Sequence, residues 1–183
     1  MRIPFKVELR DLATWLNRQD PFSSETDQNL PDDWHKSLES FLVAQIRHYS
    51  GGFEFRVADL HAVAKVSEIL LVLDGLDEVA DISTRRDVVK EAIAGINRLR
   101  DSTKALQIII TSRPAAFANS PGFPEDEFLH LELGSVTRVL IDEYADKWLR
   151  ARSIFGRHRA EIKAILQEKL AQEHLRELAR NPM

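Results

Sequence analysis

The chain opens on alternation. Residues 3–9 (IPFKVEL) place apolar and polar side chains on opposite faces, the period of a strand, and Leu12, Trp15 and Leu16 then fall at helical spacing. A strand running into a short helix is expected. Residues 19–33 collect Gln, Asp, Pro, Ser and Asn, a loop that Pro31-Asp32-Asp33 is expected to end by capping the next helix. Trp34, Leu38, Phe41, Leu42, Ile46 and Tyr49 share one face of that helix, and Ser50-Gly51-Gly52 stops it. A second helical piece covers 57–65. Residues 69–73 (ILLVL) form a continuous apolar run, the pattern of a strand buried on both faces of a parallel sheet. Val88, Val89, Ala92, Ile93, Ile96 and Leu99 then stripe a helix, and 106–110 (LQIII) reads as another buried strand. After a loop over 114–127, residues 128–133 alternate as a further strand. Val139, Leu140, Tyr144, Trp148 and Leu149 mark the helix that follows, and from about His158 the pattern is only helical. Strands alternating with helices imply right-handed βαβ units, hence an α/β fold around a mainly parallel sheet.

A length of 183 residues predicts one domain, or one with the start of a second. With 44% hydrophobic residues a real core is possible. No apolar run approaches the roughly 18 to 20 residues that cross a bilayer, and residues 1–10 do not follow the basic-then-apolar order of a secretory signal. The absence of cysteine excludes disulfides, cysteine zinc sites, iron–sulfur clusters and a thiol nucleophile. A cytoplasmic location is the expectation. The 25 basic and 29 acidic residues give a net charge of −4, so whole-domain nucleic-acid binding has no electrostatic basis. One local patch stands out, Lys147, Arg150, Arg152, Arg157, Arg159 and Lys163, with Glu161 the only acid among them. It reads as a solvated helix end, the alternative being contact with phosphate, nucleic acid or a partner's acidic face.

Ligands of parallel α/β sheets bind at the carboxyl ends of strands, so the residues after each apolar run are the candidates. After 69–73 comes Asp74-Gly75-Leu76-Asp77-Glu78, three carboxylates and a glycine in five residues. Asp74 at a strand end is suited to hold magnesium, usually through water, and a neighbouring acid to orient or deprotonate an attacking water. This has the form of a Walker B segment; an acidic turn capping the next helix is the plainer reading. After 106–110 comes Thr111-Ser112-Arg113-Pro114. The guanidinium of Arg113 can pair with phosphate oxygens or make a structural ion pair with Asp74 or Asp77. The six histidines include no i, i+4 pair, and no G-x-S-x-G elbow exists.

LLVLDGLDEV (70–79), IIITSRP (108–114), IPFKVELRDLA (3–13), the helix with Tyr144 and the closing LARNPM (178–183) resemble, in order and spacing, the NACHT domains of STAND-type signalling NTPases. The resemblance implies a P-loop NTPase-like three-layer fold with a mainly parallel sheet, here without its first strand. It implies a partial nucleotide-binding domain over 1–156 and the start of a helical subdomain over 157–183. Asp74 would be the magnesium acid, Asp77 and Glu78 the catalytic acids that arrange the hydrolytic water, Arg113 the sensor arginine, and Pro182 the proline near the nucleotide base. The intact parent would be an ATP-dependent switch in innate immunity, cell death or anti-phage defence, binding ATP or ADP with Mg2+, self-associating and engaging protein partners.

The chain departs from that pattern at one decisive point. Triphosphate binding in such enzymes rests on G-x-x-x-x-G-K-[ST], and none of the seven glycines precedes a lysine. The chain is therefore expected to resemble a NACHT domain cut off at its front, an ATPase in the intact parent and inactive alone. Two alternatives remain: a non-hydrolysing interaction module on the same scaffold, docking through 114–127 or the basic 147–163 segment, and a nucleic-acid-binding domain.

Overall fold

Alternation at the start of the chain produces β1 (Arg2–Glu8), which passes directly into α1 (Leu9–Leu16). The computed structural model describes residues 2–23, 30–113 and 122–175. They group into two compact units, 1–129 and 130–183.

In the first unit α2 (Leu38–Tyr49) and α3 (Val57–Val66) precede β2 (Glu68–Asp74), and a single 3-10 turn, Leu76–Glu78, leads to α4 (Ile82–Ser102) and β3 (Ala105–Ile110). The start of α2 differs from expectation. Its cap is Ser37, whose extended backbone lets its hydroxyl accept the Ser40 N–H at 3.1 Å, so Pro31-Asp32-Asp33 caps nothing and Trp34 precedes the helix. Asp33 instead binds Arg47 through both oxygens, at 2.8 and 2.5 Å. Trp34 packs against Trp15, ring centroids 6.3 Å apart. Gly95 lets α4 approach α2 closely: a Cβ there would stand 2.6 Å from Leu38 Cβ.

The sheet is parallel, in the order β1-β2-β3, with Glu8 opposite Asp74 and Leu73 opposite Ile110. When strands follow one another across a sheet, right-handed crossovers carry their helices to the same face. The core has that asymmetry. Val7, Leu71 and Leu73 join Leu12, Leu38, Phe41, Val88 and Ile96 in one cluster, with Phe5, Leu106, Ile108 and Ile110 packed against it. Pro4, Leu70, Val72 and Ile109, on the opposite pleat, are not members of it. β2 therefore alternates buried with half-buried positions and is not buried on both faces.

The strand expected at 128–133 does not form. Phe128 packs on Phe123 at 5.1 Å, but Leu129, Leu131 and Leu133 are 85%, 85% and 79% exposed, outside any strand. Alternation supplies a face, whereas a strand also needs a neighbour's ladder, and none of β1–β3 pairs with this segment.

The second unit contains α5 (Arg138–Ala151), capped by Thr137, and α6 (Gly156–Ala171). Asp146 of α5 pairs with Arg159 at 3.1 Å and Lys163 at 2.8 Å of α6, and Gln167 donates to Asp142 at 2.7 Å. An apolar groove of about 300 Å³ runs between these helices, lined by Ile141, Tyr144, Trp148, Leu149, Ile162 and Leu166. No helix among the described residues is long and apolar enough to cross a membrane.

Candidate functional site

The three candidate acids, Asp74, Asp77 and Glu78, stand at the carboxyl end of the sheet. Asp74 is the last residue of β2, and Gly75 follows with φ +76°, a left-handed conformation that glycine adopts without a Cβ penalty. A Cβ at Gly75 would also meet Glu78 Cγ and Cδ at 3.2 Å. The turn made possible there sends Leu76 into the core and leaves Asp77 and Glu78 at the edge.

The segment after β3 is tied to this turn. Thr111 N–H donates to Leu73 O at 2.9 Å and Leu76 N–H to Thr111 O at 3.1 Å, continuing the ladder past the strand ends. The Thr111 hydroxyl accepts the Gly75 N–H at 3.0 Å and donates to Asp74 Oδ1. Arg113 N–H donates to Asp77 Oδ1 at 3.2 Å, while its Nε lies 3.3 Å from Asp77 Oδ2. Asp74 and Arg113 therefore belong to the same end of the sheet. The Arg113 side chain is 86% exposed, so its pairing with Asp77 leaves most of the guanidinium in solvent.

From β1 comes Lys6, whose Nζ lies 2.7 Å from Glu8 Oε1 and 2.9 Å from Asp74 Oδ2. Arg10 Nη1 lies 3.4 Å from Glu78 Oε2. The Thr111 hydroxyl first, and Lys6 second, hold the Asp74 carboxyl below its ordinary range; Glu8 and Asp74 raise the Lys6 ammonium. Burial pushes Asp11, at the start of α1, the other way. A polar groove of about 270 Å³ flanks this edge, lined by Arg10, Thr14, Asn17, Glu78, Asp81 and Thr84.

These donors do not fit a divalent cation as they stand. Both Asp74 oxygens are engaged within the chain, Asp77 and Glu78 face arginines, and no group of three or more acidic or histidine side chains among the described residues converges on one point.

Comparison of the chain with protein-family models, characterised proteins and solved structures finds no match. The edge couples two strand ends through a shared threonine and presents a mixed field of carboxylates and cations to solvent.

Pro182 and Pro114 lie outside the described residues. The basic segment is largely consumed locally: Arg159 and Lys163 pair with Asp146, Arg157 with Glu161 at 2.9 Å, and the Arg152 guanidinium sits 5.4 Å from the Trp148 ring centroid. Sequence reasoning gave no role to Lys6, Arg10 or Thr111. The strand period put Lys6 and Glu8 on one face, but only the β1–β2 register brings Lys6 to Asp74.

Proposed function

We propose that the chain carries the Walker B and sensor half of a NACHT-type ATP-dependent signalling switch, on a P-loop NTPase-like three-layer scaffold. The observation that supports this reading is the joining of Asp74-Gly75-Leu76-Asp77-Glu78 to Thr111-Ser112-Arg113 at one carboxyl edge of a parallel sheet. In this reading Asp74 is the acid directed at magnesium, and Asp77 and Glu78 are the acids directed at the hydrolytic water. Arg113, held through Asp77, is the residue directed at the phosphate. Thr111 is the mechanical link, since any displacement of the β3 end is passed to Asp74 and Gly75 through one hydroxyl. ATP or ADP and Mg2+ belong to the intact parent. No G-x-x-x-x-G-K-[ST] segment is among these 183 residues, so in this reading the chain alone does not hydrolyse ATP.

The coding sequence immediately 5′ of the Met1 codon tests the proposal. An in-frame G-x-x-x-x-G-K-[ST] supports it, and an in-frame stop with no such motif overturns it. In a chain that includes the loop, Glu78→Gln should trap ATP and slow turnover, and unchanged turnover would remove Glu78 from the reaction.

A non-hydrolysing interaction module on the same scaffold is the second reading. The solvent-exposed leucines 129, 131 and 133 and the apolar groove between α5 and α6 favour it.

A further inference from the structure

We propose that Lys6 is the resident cation of the carboxyl edge: its ammonium occupies Asp74 Oδ2 and keeps a divalent cation off that carboxylate. The inference rests on the reading of Asp74 as the magnesium-directed acid, and it arises from the misfit between that role and the donors as they stand.

Three features make Lys6 more than a surface lysine near an acid. Its anchor is a strand residue of fixed register, Glu8 lying opposite Asp74, so its side chain rises on the face that carries both carboxylates. Its backbone is pinned from the other side, because Gln45 Nε2 of α2 donates to Lys6 O at 2.8 Å. Its ammonium is shared between Glu8 and Asp74 at 2.7 and 2.9 Å, which leaves it little reason to swing away. The other Asp74 oxygen accepts the Thr111 hydroxyl, so each oxygen of the carboxylate already has one partner within the chain.

Magnesium dehydrates reluctantly and binds through one or two carboxylates with several waters, so it needs an approach to free oxygen lone pairs. On Asp74 that approach is taken by a positive charge. The Lys6 side chain is solvent-exposed, so the lock is an ion exchange and not an absolute barrier. The effect of an exposed pair is modest, on the order of fivefold in cation affinity.

Manganese titration of the nitrogen-15-labelled 183-residue chain reads this directly, through paramagnetic broadening of the Gly75 and Thr111 amide signals, and the same spectra report whether each variant is folded. Lys6→Gln should bring the broadening midpoint to roughly fivefold lower Mn2+ than in the unsubstituted chain. Lys6→Arg should keep the original midpoint, Asp74→Asn in the Lys6→Gln background should abolish the local effect, and Arg2→Gln, at the far end of β1, should leave it unchanged, separating occupancy from net charge. Equal midpoints with and without Lys6, or an equal shift in Arg2→Gln, overturn the role of Lys6 and leave Asp74 standing as a cation acid. No local broadening in any of the chains overturns both.

Discussion

The Thr111 hydroxyl donates to Asp74 Oδ1 while accepting the Gly75 N–H, so one residue beyond β3 holds both the carboxylate at the end of β2 and the turn that follows it. Thr111→Val keeps the shape and removes both bonds. The expected cost at pH 7 is about 1 kcal/mol, the ordinary net worth of such bonds at a half-exposed site. The pH dependence has a definite sign. Asp74 titrates below its unfolded value in the folded chain, so it contributes stability above pH of about 4 that is lost as pH falls through the lowered folded value. Thr111→Val moves that value back up. Urea unfolding of both proteins should show the larger difference at pH 7 and a smaller one at pH 3; a difference that grows on acidification would contradict the account.

Gly75→Ala should be among the more damaging single-methyl additions. A left-handed alanine costs about 1 kcal/mol before any contact is considered, and the new Cβ would press on the Glu78 side chain. Loss of about 1 to 2 kcal/mol in denaturant stability is expected. The amide shifts of residues 76–78 should move with it, and stability equal to the parent would show that the turn relaxes freely.

Glu39 of α2 is the one acid with a nearly fully buried side chain among the described residues, and Arg98 of α4 holds it by two bonds of 2.6 and 2.7 Å. Arg98 also reaches Glu91 at 2.5 Å, and Glu91 accepts the Leu38 N–H at the first turn of α2. Arg98→Met strands that carboxylate and should cost about 2 to 3 kcal/mol. Combining it with Glu39→Met should recover a large part of the loss, because the unpaired charge goes too. Chemical denaturation of the two single variants and the double decides, and a double variant as unstable as the sum of its parts would refute the coupling.

The outer edge of β3 carries no strand among the described residues, and its segment Ala105–Ile110 contains no charge, with Ile109 solvent-exposed. Unpaired apolar edges invite association. Concentration-dependent light scattering is expected for the 183-residue chain, and Ile109→Lys should reduce it without lowering the unfolding midpoint; scattering that is unaffected would place the sticky surface elsewhere.

The three strands were legible in the pattern of apolar residues to within one residue at each end, because a two-residue period and a run of branched side chains are local properties. The same logic failed at 128–133, where FLHLEL has the alternation of a strand and no partner to hydrogen-bond with. It failed differently at Trp34, which has helical spacing to Leu38 and Phe41 but sits before the Ser37 cap. At the candidate site the acids and Arg113 were visible as a motif, whereas Lys6, Arg10 and Thr111 became relevant only through strand register, which no local pattern encodes. The one-sided sheet was hidden for a related reason. ILLVL is apolar on both pleats, and only the order of the strands decides which pleat the helices cover.

That strand order also ranks the steps by which the chain folds. β2 meets β3 across the crossover 75–104, whereas β1 meets β2 across 9–67, a loop about twice as long. Each doubling of loop length adds only about 0.6 kcal/mol of closure entropy, so the shorter unit leads by roughly threefold in rate and no more. Substitutions inside Leu71, Leu73 or Ile108 should then mainly slow refolding, and substitutions in Phe5 or Val7 should mainly hasten unfolding, with β1 the first strand to leave.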